Sequence, residues 1–214
     1  MSRRSSFLRP LLGALLFVAC LSMPDQRAFG QAYCTSCAQP DQVWRIDICM
    51  PGGQTRTVDV TVCNETYCPA RPLGEPCVPN PINARTVIKK ICPVGWTGTT
   101  GDIQIILNKV IPKIGVCCGG NTYLSACPSN PDFVWLVNYP TCWEYTAANC
   151  WEPCLNAPCC TYLLHYQFNI PNPGDCSFNW GPVCGTGPEE CHPPTVPLTC
   201  LSIGCNLNPE PCCP

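Results

Sequence analysis

Twenty-three cysteines in a chain of 214 residues constrain the fold more than any other feature of this sequence. A cysteine share above roughly 8–10% is typical of disulfide scaffolds. If Cys20 is lost with a leader segment or carries a lipid, 23 minus one leaves 22 cysteines, enough for up to eleven bridges. Each bridge stabilises a fold by about 2–4 kcal/mol, mainly by restricting the unfolded chain. The sequence therefore predicts a fold held together by covalent cross-links.

The N-terminus predicts export. Three arginines within residues 1–10 precede a short apolar run, Leu11–Leu21, as in secretory signals. This run is too short to span a bilayer, which needs about 20 residues. We predict a signal peptide over residues 1–30, cleavage after Gly30 and a secreted mature chain without a transmembrane span. The alternative is cleavage before Cys20 with a lipid on that cysteine, which would give a surface lipoprotein.

A metal site is the rival explanation for the cysteines. Cys34 and Cys37 have the spacing of a zinc or redox pair, but His165 and His192, the only histidines, lie too far apart for a zinc-finger pair. Since disulfides persist in the oxidising compartments that exported chains reach, the disulfide interpretation is favoured. We predict no metal and no cofactor.

The charge of the chain excludes one class of partner. Residues 1–30 hold four arginines and one aspartate, so the mature chain keeps 8 basic and 13 acidic residues, a net charge of −5. Nucleic-acid binding requires a basic patch, and the largest basic cluster here is the pair Lys89–Lys90. Charged residues make up only 12% of the chain, against about 25% in typical domains. Such a surface suits packing against extracellular matrix, polysaccharide or other copies of the chain.

One phrase occurs twice. "QPDQVWRID" begins at Gln39 and "NPDFVWLVN" begins at Asn130. Further matches follow in the same order, Cys63 and Cys68 with Cys150 and Cys154, then Cys92 and Trp96 with Cys176 and Trp180. This order predicts two tandem similar units, 31–119 and 120–214, whose equivalent core residues are Trp44, Trp96, Trp135 and Trp180. The alternative is that cysteine- and proline-rich chains align with themselves through composition alone.

The two units hold 9 and 13 cysteines. Because both numbers are odd, at least one disulfide must join the units if every cysteine is paired.

The hydrophobic pattern predicts an all-β fold, rich in loops and proline. "WRIDIC" and "TVDVTVC" alternate apolar and polar residues on either side of Pro51–Gly53, which is the pattern of a hairpin. "YLLHYQFNI" alternates in the same way in the second unit. Residues 103–111 have helical spacing after Asp102, a good N-cap, but their β-branched content equally favours a strand.

The segment "CWEYTAANCWEPC" holds the candidate binding residues, because Trp143 and Trp151 each follow a cysteine and precede a glutamate, Glu144 and Glu152. An exposed tryptophan beside a carboxylate can stack on a sugar ring while the acid accepts its hydroxyl hydrogens. The favoured alternative is that both indoles pack in a small core. Separately, Asn64 begins a candidate N-glycosylation sequon.

The sequence contains no nucleophile-elbow, phosphate-loop or zinc-protease motif, so we predict no enzymatic activity. These patterns together favour a secreted or cell-surface structural or interaction protein held by about eleven disulfides. A secreted carbohydrate-binding module and a disulfide-stapled inhibitor or effector remain as alternatives.

Overall fold

The computed structural model describes residues 37–71, 81–114, 132–154, 157, 159–167, 179–184, 200–203, 205 and 207–208. The predicted signal peptide, Cys20 and the predicted boundary between units at 119/120 lie outside these residues. All structural statements below refer to the described ranges.

The described chain forms nine strands and one α-helix. The strands are β1 (Gln42–Met50), β2 (Gln54–Arg71), β3 (Ile82–Val94), β4 (Asp132–Pro140), β5 (Cys142–Thr146), β6 (Cys150–Pro153), β7 (Cys159–Gln167), β8 (Asn179–Cys184) and β9 (Leu201–Ser202). The helix, α1 (Ile103–Ile114), follows a short 3₁₀ turn at Thr100–Asp102. The predicted β-rich class is confirmed, with one helix added.

The nine strands belong to one sheet, which forks at β3. On one edge β3 pairs with β2 in an antiparallel arrangement. On its other edge the first half of β3 pairs in parallel with β4, and Ile91 in the second half pairs with Trp151 of β6. One branch continues from β4 to β7 and β8, and the other continues from β6 to β5 and β9. Except at the β3–β4 contact, neighbouring strands are antiparallel.

The predicted hairpin is confirmed as β1 and β2. Its register runs from Met50 opposite Gln54 to Gln42 opposite Val62. Gly52 and Gly53 in the turn have φ angles of 87° and 77°, a region that side chains disfavour and glycine adopts freely. The alternating apolar residues on either side of the turn face the core, and the polar residues between them lie on the more exposed face; the apolar ones are Trp44, Ile46, Ile48, Val58, Val60 and Val62.

A bulge in β3 explains how the pair Lys89–Lys90 sits inside a strand. Thr61 lies opposite Lys90 but the next residue, Val62, lies opposite Ile88, so β3 has one extra residue there. Ile88 and Ile91 consequently both point into the core, while the two lysines lie on the partly exposed side. Each lysine finds a carboxylate: Lys89 that of Asp41 at 2.6 Å and Lys90 that of Glu152 at 2.5 Å.

Residues 103–114 form a helix. The sequence had favoured a helix and a strand equally for residues 103–111. The buried residues Ile103, Ile106, Leu107 and Val110 recur at helical spacing and pack in the main core. Asp102 directly precedes the helix and ends the 3₁₀ turn. Thr99 is the N-cap of that turn, and the Asp102 carboxylate reaches back to accept the Thr99 N–H at 2.7 Å.

A single core cluster takes residues from strands of both predicted units. Trp44 of β1 and Trp135 of β4 belong to it, together with the buried face of α1. The first strand of each antiparallel run, β1–β2–β3 and β4–β7–β8, contains one of these tryptophans. This agrees with the match between the segments that begin at Gln39 and Asn130. The match of Cys63 and Cys68 with Cys150 and Cys154 does not fit this order of strands. It aligns β2 with β6, whereas the two antiparallel runs would align β2 with β7. The duplication stays a prediction.

Disulfide bonding is confirmed. Twelve described cysteines are disulfide-bonded, and four bridges join described residues to each other. These are Cys37–Cys63, Cys92–Cys150, Cys154–Cys200 and Cys160–Cys205. Because Cys37 is bonded to Cys63, it cannot act as a zinc ligand together with Cys34. The second bridge joins residues 31–119 to residues 120–214, as the odd cysteine counts require.

Candidate functional site

The predicted ligand-binding residues lie on the β5–β6 hairpin of the fork. Trp143 and Glu144 belong to β5, and Trp151 and Glu152 belong to β6. Glu144 lies directly opposite Glu152, and Trp143 lies opposite Pro153. Because successive side chains in a strand point to opposite faces, each tryptophan and its neighbouring glutamate are on different sides of the sheet. One sugar ring could not contact both members of either pair.

Both indoles are closed to solvent. Trp143 and Trp151 are each 0% exposed and belong to the main core. Their ring N–H groups are satisfied internally, since Trp143 Nε1 donates to the Pro140 carbonyl at 2.6 Å and Trp151 Nε1 to the Thr99 carbonyl at 2.9 Å. The exposure that sugar stacking requires is therefore missing, and the core interpretation of these two residues fits the structure.

Trp151 forms an aromatic cluster with Tyr145 and Trp96, which we call the fork cluster. The ring centroid of Trp151 lies 4.9 Å from that of Tyr145 and 6.0 Å from that of Trp96, both in tilted arrangements. Such geometries favour aromatic attraction beyond the burial of area. The outer rings, Trp96 and Tyr145, are only half-buried, and the Arg56 guanidinium lies 5.6 Å from the Trp96 ring centre.

The loop after β3 is tied to the β5–β6 hairpin by hydrogen bonds. Gly98 N–H donates to the Tyr145 hydroxyl at 2.9 Å, and Asn149 Nδ2 donates to the Trp96 carbonyl at 3.0 Å. Asn149 also hydrogen-bonds Tyr145, and its φ of 59° is one that asparagine tolerates better than most residues. These hydrogen bonds hold the loop after β3 against the hairpin and fix the rings of the fork cluster in contact.

Gly98 is required by this packing. A Cβ at Gly98 would overlap two ring atoms of Trp151, whereas a Cβ at Gly101 would have a single neighbour at an ordinary 3.9 Å. We expect Gly98→Ala to lower the free energy of unfolding by about 1–3 kcal/mol, as overpacking does. Urea unfolding followed by tryptophan fluorescence measures the change. Gly101→Ala is the matched control, and an equal loss in both variants would contradict the steric explanation.

Opposite the fork cluster, the sheet presents a polar face. Glu144, Glu152 and Lys90 lie side by side there, with Lys90 bound to Glu152. Farther along the same face, Arg45 donates to both carboxylate oxygens of Asp59, at 2.8 and 2.9 Å. The hydrogen bonds and charge of Asp59 raise the pKa of Arg45. Within the described ranges, no three His, Cys, Asp or Glu side chains are grouped so that they could hold one metal ion.

The structure also contains a buried polar network that the sequence did not predict. Glu65 of β2 and Arg85 of β3 are 7% and 5% exposed, and Arg85 Nη1 lies 3.4 Å from Glu65 Oε2. Tyr67 OH donates to the same oxygen at 2.7 Å, and Ala38 N–H donates to Oε1 at 3.0 Å. Arg85 Nε donates to Asn138 Oδ1 of β4 at 3.1 Å. The network thus links three strands and the segment before β1.

The pKa of Glu65 reflects competing influences. Burial acts to raise it, but the Tyr67 and Ala38 hydrogen bonds and the positive charge of Arg85 outweigh burial and leave the pKa below its usual value. Only Asn138 carries a sequence signal for this network, because it follows the apolar run Phe133–Val137 of β4. Glu65 and Arg85 stand beside other polar residues in their strands, so no local pattern marks them as a buried pair.

Tyr139 is the converse case, a buried polar group without a well-formed hydrogen bond. It is 0% exposed and stacks on Tyr162 at 5.8 Å between ring centroids; within the described part of the chain its hydroxyl interacts with that of Tyr162 but lacks hydrogen-bond geometry. Burial raises the pKa of Tyr139 far above its ordinary range, and the neighbouring Tyr162 raises it further.

We expect Tyr139→Phe to raise the free energy of unfolding by about 1 kcal/mol, because an unsatisfied buried hydroxyl costs about 1–3 kcal/mol. Tyr162→Phe is the matched control, since the Tyr162 hydroxyl interacts with Tyr139 and hydrogen-bonds the Leu207 backbone. We expect that control to lose about 0.5–1.5 kcal/mol. Thermal unfolding of both variants distinguishes them, and a large loss in Tyr139→Phe would show that its hydroxyl has a partner.

The remaining predicted residues have separate positions. Trp44 and Trp135 are buried in the core, and their equivalence between two units stays a prediction. Trp96 is half-buried in the fork cluster rather than in the centre of the core, and Trp180 lies in β8 opposite Leu164. Asn64 is half-buried in β2 and its Oδ1 accepts a hydrogen bond from buried Thr86 at 2.7 Å. Its glycosylation stays a prediction.

No known family model, curated protein or solved structure matches this chain. Among the described helices, none has the length and apolarity needed to cross a membrane. The disulfides fit an oxidising, extracellular type of environment.

Proposed function

We propose that this chain is an exported, non-catalytic structural protein that acts at the cell surface or in the extracellular matrix. The observation that carries the proposal is that twelve described cysteines are disulfide-bonded, including Cys92 and Cys150, whose bridge ties β3 to the branch that begins with β6. A cross-linked sheet of this kind resists unfolding and proteolysis, which a persistent extracellular component requires.

The first experiment is the intact mass of the exported protein before and after reduction. A chain beginning at Gln31 that gains 22 hydrogens would contain eleven bridges, as expected for 22 paired cysteines. A lipid-bearing chain beginning at Cys20 would place the protein on a membrane surface. Free thiols in a chain that is never exported would overturn the proposal.

Self-association is the second element of the proposal. Low charge and a broad polar sheet face are compatible with assembly of like chains. Light scattering after size exclusion, over a wide range of protein concentrations and with the bridges intact, measures the assembly. Particles or fibres are the expected result. A monomer at every concentration that binds a soluble glycan would instead favour the carbohydrate-binding alternative.

That alternative has less support than the structural one. Trp143 and Trp151 are buried, and their neighbouring glutamates lie on the opposite side of the sheet. A glycan that quenches tryptophan fluorescence would have to reach the half-buried Trp96 instead. No described feature favours an inhibitor or effector.

A further inference from the structure

One of the four described bridges differs from the others in its place in the sheet. Because Ile91 pairs with Trp151, Cys92 lies directly opposite Cys150 on neighbouring antiparallel strands. Their Cα atoms are 4.1 Å apart, a short separation of the kind found between non-hydrogen-bonded residues on antiparallel strands. The other bridges connect residues that are not facing strand partners, with Cα separations of 5.4, 6.1 and 6.2 Å.

This difference bears on how easily the bridge is reduced. Disulfides usually join Cα atoms about 4.4–6.8 Å apart, and bridges outside that range are more reducible. The three other described bridges fall inside the range, close to its centre. The backbone of β3 and β6 therefore imposes on Cys92 and Cys150 a Cα separation shorter than disulfides usually have.

The bridge is also approachable from water. Cys92 is half-buried, and it lies on the polar face of the sheet between Asp59 and Cys150, which is 6% exposed. By contrast, Cys160 is 0% exposed in the main apolar core, and its partner Cys205 is half-buried and packs against that core. A reductant can approach the first bridge from the polar face of the sheet, whereas the second is surrounded by apolar side chains.

From these observations we infer that Cys92–Cys150 is a thiol–disulfide exchange site, opened by a dithiol reductant before the other described bridges. A thiolate of the reductant attacks one sulfur, and the S–S bond breaks. The other sulfur leaves as a thiolate and takes a proton. The second thiol of the reductant then resolves the mixed disulfide. In total the bridge gains two electrons and two protons, and the dithiol leaves as a disulfide.

Opening this bridge has a defined structural consequence. Within the described residues, Ile91 and Trp151 form the single register pair between β3 and β6, and the bridge beside them links β3 covalently to that branch. Trp151 is adjacent to Cys150 and belongs to the fork cluster, so its fluorescence reports the change. Reduction would loosen the branch formed by β6, β5 and β9 while the core around α1 stays packed.

The test is graded reduction of the native, fully oxidised chain with dithiothreitol, followed by alkylation of free thiols and peptide mass spectrometry. We expect Cys92 and Cys150 to be alkylated at a dithiol concentration at least about tenfold lower than Cys160 and Cys205. A change in tryptophan fluorescence should accompany this first step. Opening of another of the four bridges first, or of all four together, would overturn the inference.

A paired set of variants checks the assignment. Cys92→Ser/Cys150→Ser should lose the fluorescence change at low dithiol, whereas Cys160→Ser/Cys205→Ser should keep it. Retention of the change in the first variant would overturn the inference. If a variant does not fold, the order of alkylation in the native chain alone decides.

Discussion

Replacing Trp135 with alanine is expected to lower the free energy of unfolding by about 3–5 kcal/mol, the range for large aromatics removed from cores. Trp135 is 0% exposed in the strand that joins the two antiparallel runs of the sheet. Its Nε1 donates to Thr86 Oγ1 at 2.8 Å, and Thr86 in turn donates to Asn64 Oδ1 at 2.7 Å. The substitution removes an indole from the core and leaves the Thr86 oxygen without its donor. Denaturant unfolding at neutral pH with the disulfides intact measures the loss.

Two further variants separate the contributions. Trp135→Phe keeps most of the apolar ring and loses the hydrogen bond, so a smaller loss than in Trp135→Ala is expected. Trp44→Ala should fall at the lower end of the same range, because Trp44 is 8% exposed on a strand paired on one edge with β2 and its Nε1 donates to Gln42 of that strand. Wild-type stability in Trp135→Ala would contradict the packing described here.

Replacing Arg85 with methionine is expected to lower the free energy of unfolding by about 3–5 kcal/mol, because it leaves the Glu65 carboxylate buried without its cation. Methionine preserves much of the side-chain volume, so the lost charge dominates the change. Arg85 also loses its hydrogen bond to Asn138. Urea unfolding at pH 7, where Glu65 is ionised, measures the effect.

The pH dependence of unfolding distinguishes a lost charge from lost packing as the cause of the destabilisation in Arg85→Met. The pKa of Glu65 is lowered in the folded state, so its contribution to stability is fully present above the unfolded pKa of about 4.3. That contribution is lost as the pH falls through the folded pKa. Without Arg85, the carboxyl group accepts a proton more readily and escapes the cost of a lone buried charge. The difference between wild type and Arg85→Met should therefore be smaller at pH 3 than at pH 7, and an equal difference would point to lost packing.

The exposed pair Arg45–Asp59 provides the matched control. Its contacts, at 2.8 and 2.9 Å, are shorter than the 3.4 Å contact of Arg85 with Glu65, but the Arg45 side chain is 66% exposed. Solvent screens such pairs, and measured surface ion pairs contribute little to stability. Arg45→Met should therefore cost much less than Arg85→Met. A comparable cost would show that contact length, rather than burial, controls the energetics of these pairs.

The parts of the fold that the sequence predicted are local ones. Alternation around Pro51–Gly53 was enough for the β1–β2 hairpin, because its two strands meet through a tight turn. The parity of cysteine counts required a bridge between the two halves, and Cys92–Cys150 is such a bridge. Cysteine content and β-rich character were likewise readable from composition.

The parts that the sequence missed depend on distant pairing. The parallel contact of β3 with β4 and the fork toward β6 join residues about 50–60 positions apart, and no local pattern specifies such partners. The network of Glu65, Arg85 and Asn138 depends on those same pairings. The candidate site failed for a simpler reason: adjacent residues in a strand face opposite ways, so each Trp-Glu dipeptide could not act as one binding unit.

The fork at β3 also sets an order of events for a chain that emerges from its N-terminus. The β1–β2 hairpin and β3 can pair as soon as they appear, but the second edge of β3 has no partner until β4, which begins 38 residues after β3 ends (132 minus 94). At synthesis rates of roughly 5–20 residues per second, this edge stays open for about 2–8 seconds. An open edge is a template for pairing with other chains. A nascent copy is therefore most exposed to aggregation during that interval, and a chaperone would protect it best by covering β3.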